Sequence, residues 1–313
     1  MALSRSVDDF VEEVGGLDTG PVCVRGGSTQ WLVGGRVQPG TREVVAPAGI
    51  VTYEPAEMTV RVGAATTVAE LHEALAAHRQ TTVLSGPSRA TVGGVLCVGR
   101  NGLASARDGR VRDVLLQAAY ASAEGRRVVA GGPTVKNVTG FDLCRLLVGS
   151  IGTLGLIGEV ILRTRPQPDV DVWLNGICDP FALRRLLYRP ASTLWDGTTT
   201  WVHLEGYAAD VTAQQQICAS AGLVPCDAPP ELPPYRYPLR PVDLTTFARQ
   251  RDAVGPFVAE VGVGVVHTTH RCTLRRVPSA EVIALHERLR DQFDRTRRLN
   301  PGRDPLACDE NAG

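Results

Sequence analysis

Lysine is nearly missing from this chain of 313 residues: among 33 basic residues only Lys136 is not an arginine. Net charge is missing too, because 33 acidic residues balance the basic ones. Neither nucleic-acid binding nor electrostatic attachment to a membrane is indicated. The eight cysteines include no C-x-x-C pair, which argues against a zinc or iron–sulfur site. They read as reduced, mostly buried thiols of a cytoplasmic protein. The six histidines include no H-x-x-x-H pair of the kind a helix presents to a metal. No uninterrupted apolar run approaches the length of a bilayer span, so no transmembrane segment is expected. The opening residues, MALSRSVDDFVEEV, are acidic and amphipathic, unlike a secretory signal. There is no G-x-x-x-x-G-K-S/T loop, no internal repeat and no low-complexity tract. Hydrophobic content of 43% is ordinary for a globular protein, and the length allows two domains.

What is present concentrates in residues 131–163, GGPTVKNVTGFDLCRLLVGSIGTLGLIGEVILR. A chain that otherwise avoids lysine keeps one where a compact, three-donor ammonium serves and a planar guanidinium does not. Gly149, Gly152, Gly155 and Gly158 fall in a loop leading into an apolar run, where backbone turns tightly or approaches a ligand. For any one of them a helix cap or a bulged strand is the plain alternative. Residues 141–148 have helix-like apolar spacing and 156–165 read as a strand. That order reverses the dinucleotide fingerprint, whose glycines follow a strand and open a helix. Two further loops share the character. A strand at 21–25 runs into Gly26, Gly27, Ser28 and Thr29, whose amides and hydroxyls suit a phosphate oxygen or an ordinary turn. Residues 86–95 form a second glycine loop carrying Thr91. Three such loops within about 130 residues, each beside a strand, suggest one extended diphosphate ligand threaded past them.

The remaining pattern is α+β. Residues 7–14 form a helix capped by Ser6 and stopped at Gly15–Gly16. Residues 58–62 alternate as a strand, and Thr67 with Glu70 makes a capping box for a helix to about His78. His72 and His78 belong to its outer surface. Residues 111–122 and 126–130 pair as a hairpin around Glu124 and Gly125. Beyond Pro166 and Pro168 the composition changes. Asp179–Pro180 opens a helix to 187, residues 201–205 form a strand, and a helix at 210–221 closes on Gly222. Seven prolines in the 17 positions from 225 to 241 read as an irregular linker. A strand at 257–267 and a helix at 280–292, capped by Ser279, complete a second, smaller α+β unit.

The loops, in this order and spacing, resemble the PCMH-type FAD-binding family of the vanillyl-alcohol oxidase superfamily. Arg25, Gly26, Gly27, Ser28 and Thr29 match its pyrophosphate loop; Pro87, Ala90, Thr91, Val92, Gly93 and Gly94 match its second flavin loop. The segment 135–143 with residues 147–160 is similar to the FAD-binding E-type subunits of bacterial glycolate oxidases, as are Leu204-Glu205-Gly206 and the run 299–303, LNPGR. The resemblance implies a PCMH-type FAD-binding domain of two α+β subdomains at 1–168, a small α+β cap domain at 169–290 and a C-terminal segment at 291–313. It assigns Lys136, Asn137, Thr139, Gly140, Asp142, Gly152, Thr153, Gly155 and Ile157 to the cofactor as well. Lys136 would stabilise the reduced flavin or the diphosphate, or simply pair with Asp142. Residues 25–30 contain no histidine, so non-covalent FAD is expected.

The implied activity is oxidation of a small 2-hydroxy acid: a base takes the hydroxyl proton while hydride passes to flavin N5. The alternative is a non-catalytic flavin-binding or electron-relay subunit. Either would work beside a related flavoprotein subunit and an iron–sulfur subunit, in the cytoplasm or held at a membrane by those partners. His267 and His203 are the candidate bases. The chain departs from the family at residues 258–267, which lack the paired cap histidines that hold a metal in related dehydrogenases. His267 and His270, three apart on a strand, would point to opposite faces, so no metal is expected. His203 also stands where the family pattern has an arginine.

Overall fold

The computed structural model describes residues 3–133, 143–250, 255–271 and 278–307. Among the described residues, a five-stranded antiparallel sheet runs in the order Ile50–Glu54, Thr59–Gly63, Leu156–Arg163, Leu115–Ala121 and Arg127–Gly131. Its central strand, Leu156–Arg163, is buried along nearly its whole length. The glycine-rich run therefore ends in the middle of the sheet. A parallel pair, Val22–Val24 with Arg42–Val44, stands beside it and carries the first glycine loop at its end.

Local chemistry fixes the helices that cover this sheet. Ser6 and Asp9 form a reciprocal capping box on Val7–Val14, and the helix buries Val7, Phe10, Val11 and Val14, a single stripe at helical spacing. Phe10 packs so closely on the central strand that a Cβ at Gly158 would sit 3.0 Å from its ring. Thr67 and Glu70 cap Val68–Ala76 in the same way.

The second half of the chain builds a seven-stranded antiparallel sheet. Its order is Val224–Cys226, Val170–Gly176, Thr200–Gly206, Ser192–Trp195, Phe257–Glu260, Val265–Thr268 and Tyr235–Pro238. The proline-rich stretch is thus no linker: it supplies both edge strands, the positions where a residue without an N–H does least harm to a ladder. The strand expected over 257–267 is two strands, turned between 261 and 264 by Gly262 and Gly264 at positive φ. Val202 and Leu204 pack on Pro180–Leu186 and Ala208–Ser220, while Trp201, His203 and Glu205 point to the other face. One face of this sheet is therefore apolar and helix-covered. The other is polar.

Near its end the chain returns to the first half. Leu299 bridges Val22, and the buried Arg298 guanidinium donates to the carbonyls of Val14, Gly15, Gly20 and Ala123 and to Thr19 Oγ1, at 2.8–3.1 Å. Val14 and Gly15 end the first helix, where a cation meets the negative pole of the helix dipole. No described helix is long and apolar enough to cross a membrane.

Two substitutions test these contacts. Gly158→Val overpacks the sheet against Phe10 and is expected to lower unfolding stability by about 1–3 kcal/mol in a denaturant titration. Arg298→Lys keeps the charge but offers three donors to five acceptors, and about 3 kcal/mol should be lost in the same measurement.

Candidate functional site

The parallel pair, the helix Val92–Val98 and the central strand converge on a cleft open to solvent, about 790 Å³ of non-atom space. Of the residues singled out in the sequence, Gly26, Gly27, Ser28, Thr29, Thr91, Gly93, Gly94, Gly152 and Ile157 line it. Positions up to about 130 residues apart thus meet around one space. The first and second loops touch through their backbones: a Cβ on Gly27 would fall 1.6 Å from the carbonyl oxygen of Arg89. No side chain fits there. Ser28 holds a positive φ of 58°, a conformation stored in the loop by its neighbours. Thr91 caps Val92–Val98 and accepts from the Gly94 amide at 3.3 Å.

Other expected site residues support the loops instead of lining the space. Arg25 leans away, paired to Glu43 at 2.9 Å and bonded to Ser28 Oγ at 3.3 Å. The Pro87 and Ala90 carbonyls accept from the Ala90 and Val68 amides, and Val92 is buried with its amide on Thr66 O. Thr153 is buried and donates to Ser150 O at 2.7 Å; Gly155 lies against the ring of Tyr120. Lys136, Asn137, Thr139, Gly140 and Asp142 lie outside the described residues.

The structure adds residues that the loop pattern did not single out. Trp31 lines the cavity between two guanidiniums, with Arg303 4.3 Å and Arg25 5.4 Å from its ring centroid. Arg303 donates to the Trp31 carbonyl at 2.7 Å, and Asn300 donates to Ile151 O at 2.6 Å. Gln30 Oε1 is buried in the wall with no hydrogen-bond partner. Cys97 also lines the space, its thiol pushed up to about 12 by burial and so kept neutral. The LNPGR run was the available signal for Asn300 and Arg303. Trp31 and Gln30 had none, because their role depends on what folds against them.

The two histidine candidates lie elsewhere. Both are on the polar face of the second sheet, but with two strands between them they stand roughly 14 Å apart. His203 Nε2 meets Asp171 Oδ1 at 2.7 Å and stacks on Trp173, and this bond holds the Asp171 carboxyl below its usual range. His267 Nε2 meets the buried Glu260 at 2.9 Å. Neither lines the cavity. Asp171, His203 and Glu205 bring ligand-capable atoms within 4.8 Å, yet Arg165 and Arg107 already stand 3.4 and 3.5 Å from Glu205. A cation there would meet two guanidiniums, so the cluster is an ion-pair network. His72 is half-buried at this junction, not an outer-surface residue, because the helix end is covered by residues 82–85. His78 is exposed and packs edge-on against Tyr53.

A glycine-lined cleft between loops, with Arg303 in its wall and an unpaired amide oxygen beside it, suits an anionic ligand that also carries donors. Residues 13–131 match the family model described as FAD binding domain. They form an FAD-binding domain. Glycolate oxidase subunit GlcE of Escherichia coli is 29% identical over 210 residues, which cover 64% of this chain and 60% of that protein. D-lactate dehydrogenase of Archaeoglobus fulgidus is 35% identical over 151 residues, 47% of this chain and 34% of its own length. The chain therefore spans less than two thirds of the length of either relative. A solved structure of alkyldihydroxyacetonephosphate synthase superposes with a TM-score of 0.69 over 95% of this chain and 74% of its own, at 13% identity, a likeness of fold. The observed cavity fits FAD: the loops leave backbone room for a diphosphate, Arg303 sets a cation in the wall, and the buried, unpaired Gln30 Oε1 can accept from a hydroxyl or amine.

Gly94→Val tests the fit with little disturbance of the protein, since its Cβ would meet only Thr91 Oγ1, at 3.0 Å. The variant is expected to keep its melting temperature without cofactor and to lose bound FAD at least tenfold, read as visible absorbance per chain.

Proposed function

We propose that this chain is the FAD-binding subunit of an oxidoreductase that oxidises a small 2-hydroxy acid, in the manner of a glycolate oxidase. In this reading residues 1–168 hold a dissociable FAD, residues 169–290 present a polar sheet face towards it, and residues 291–313 close the cofactor cavity. One observation carries the reading: loops from three parts of the chain, together with Asn300 and Arg303, enclose one cavity beside the FAD-binding domain's sheet. When bound, FAD supplies a two-electron acceptor. The chain's own residues have the other tasks. The glycine loops hold the diphosphate, Trp31 and Arg303 seal the outer wall, and the polar sheet face receives the acid. Partners are proposed as a related flavoprotein subunit and an iron–sulfur subunit, and the setting as the cytoplasm.

A second reading, a flavin-binding subunit that relays electrons without acting on substrate, draws support from the histidines. Each is already bonded to a carboxylate, and neither borders the cofactor cavity.

The visible spectrum of the purified chain, taken anaerobically before and after adding glycolate or D-lactate, separates these readings. Bleaching of an oxidised flavin spectrum is the expected result for a catalytic subunit. A flavin spectrum that neither acid changes supports electron relay. A colourless protein that takes up no added FAD removes both.

A further inference from the structure

A second cavity, about 520 Å³ of open volume, lies where the two halves of the chain meet. Glu205 of the second sheet closes it, and Ser85, His72, Thr82, Asp108 and Arg165 of the first half line it. It adjoins the cofactor loops along the chain, for Ser85 immediately precedes the loop 86–94. The wall is polar and incompletely paired. Thr82 Oγ1, Arg165 Nε and His72 Nε2 are all buried without a hydrogen-bond partner, and Thr82 is only 5% exposed. Buried polar groups left open together in one space call for a ligand that answers them. Burial holds His72 below its usual range, so it presents a neutral ring.

Two carboxyl groups meet at this wall from opposite halves. Arg165 Nη2 lies 2.5 Å from Asp108 Oδ2 and 3.4 Å from Glu205 Oε1, and Arg107 Nε is 3.5 Å from the same Glu205 oxygen. Asp108 and Glu205 thus share one guanidinium nitrogen across the junction, and Glu205 Oε1 is buried with no hydrogen-bond partner. Burial and the Glu205 charge raise Asp108 to about 7, against the pull of Arg165 and Arg107. His203, two residues earlier on the same strand, and Asp171 on the neighbouring strand bring ligand-capable atoms within 4.8 Å of Glu205.

We propose that this cavity binds a small 2-hydroxy acid, its carboxylate on Arg165, and that the Asp108–Glu205 pair takes up the proton its hydroxyl releases. The inference rests on the hydroxy-acid reading above and supplies the base that His203 and His267 do not. Oxidation to the 2-oxo acid breaks one O–H and one C–H bond and forms the second C–O bond. The C–H electron pair leaves as hydride for the two-electron acceptor, the flavin of that reading. The O–H proton passes to ionised Asp108, which becomes a carboxylic acid hydrogen-bonded to Glu205. A base that exchanges its proton near neutral pH suits this step. From Glu205 the way to solvent runs past His203 to Asp171, whose side chain is 57% exposed.

The test uses oxalate, an acid with no hydrogen on carbon to surrender, and the full chain loaded with FAD. Calorimetry in buffers of different ionisation enthalpy reads the protons taken up on binding. Above pH 7, where Asp108 is ionised, wild type is expected to take up about one proton per oxalate bound. Asp108→Asn and Glu205→Gln should bind oxalate with that uptake lost and FAD retained. Either variant suffices if the other fails to fold. Arg165→Met should weaken oxalate at least tenfold. No oxalate binding by wild type, unchanged uptake in the carboxamide variants, or undiminished affinity in Arg165→Met overturns the proposal. Flavin reduced by a 2-hydroxy acid alongside any of those results leaves the functional reading standing without it. Oxalate binding as expected, with a flavin that no 2-hydroxy acid reduces, keeps the acid site and its proton pair and removes the hydroxy-acid reading.

Discussion

Arg298 carries a charge into the interior and sets all of its guanidinium donors on four carbonyls and a hydroxyl drawn from residues 14–20 and 123. A buried cation is tolerable only when its donors are satisfied, and here the first helix terminus and the hairpin turn satisfy them. Leu299 then completes a bridge to Val22, and five residues after Arg298 comes Arg303 on Trp31. The glycine-lined cavity is thus walled in part by residues near 300, held in place by a contact outside that cavity. Without that return, the parallel pair would lose its third neighbour and Trp31 one of its two guanidiniums.

Close backbone approach is the second constraint. The loop after Val24 lies directly on the carbonyl of Arg89, so the first and second glycine loops form one surface. A surface made of backbone presents amides and little bulk, which suits a diphosphate. The second sheet is built the opposite way. Its alternation gives the apolar side chains to the helices and leaves Asp171, His203, Glu205, Glu260 and His267 on the other face. The halves meet through charge there, Arg107 and Arg165 against Glu205, with the Arg107 and Arg189 side chains each bonded to the other's carbonyl.

Much of this was legible in the chain before any fold was known. The capping boxes at Ser6 and Thr67, the proline start at Pro180 and the hairpin at Gly125 are local devices, and local devices are written in neighbouring residues. The glycine loops were legible for the same reason. The proline-rich stretch misled because proline marks both a linker and an edge strand, and only sheet order distinguishes them.

The sequence by itself determined that backbone would come close to an extended anionic ligand, that an α+β chain would carry it, and where most helices would start. Each depends on short-range steric or capping rules. Only the tertiary structure decided which of those residues line the space and which merely brace it. It also decided that Asn300 and Arg303 complete the wall, that His203 and His267 each face a carboxylate, and that Asp108 and Glu205 share Arg165 across the junction. Asp171 and His203 are 32 positions apart, Asp108 and Arg165 57, and Trp31 and Arg303 272. Glu260 and His267, 7 apart, meet only because the chain turns between two strands. No periodicity or spacing encodes such partners.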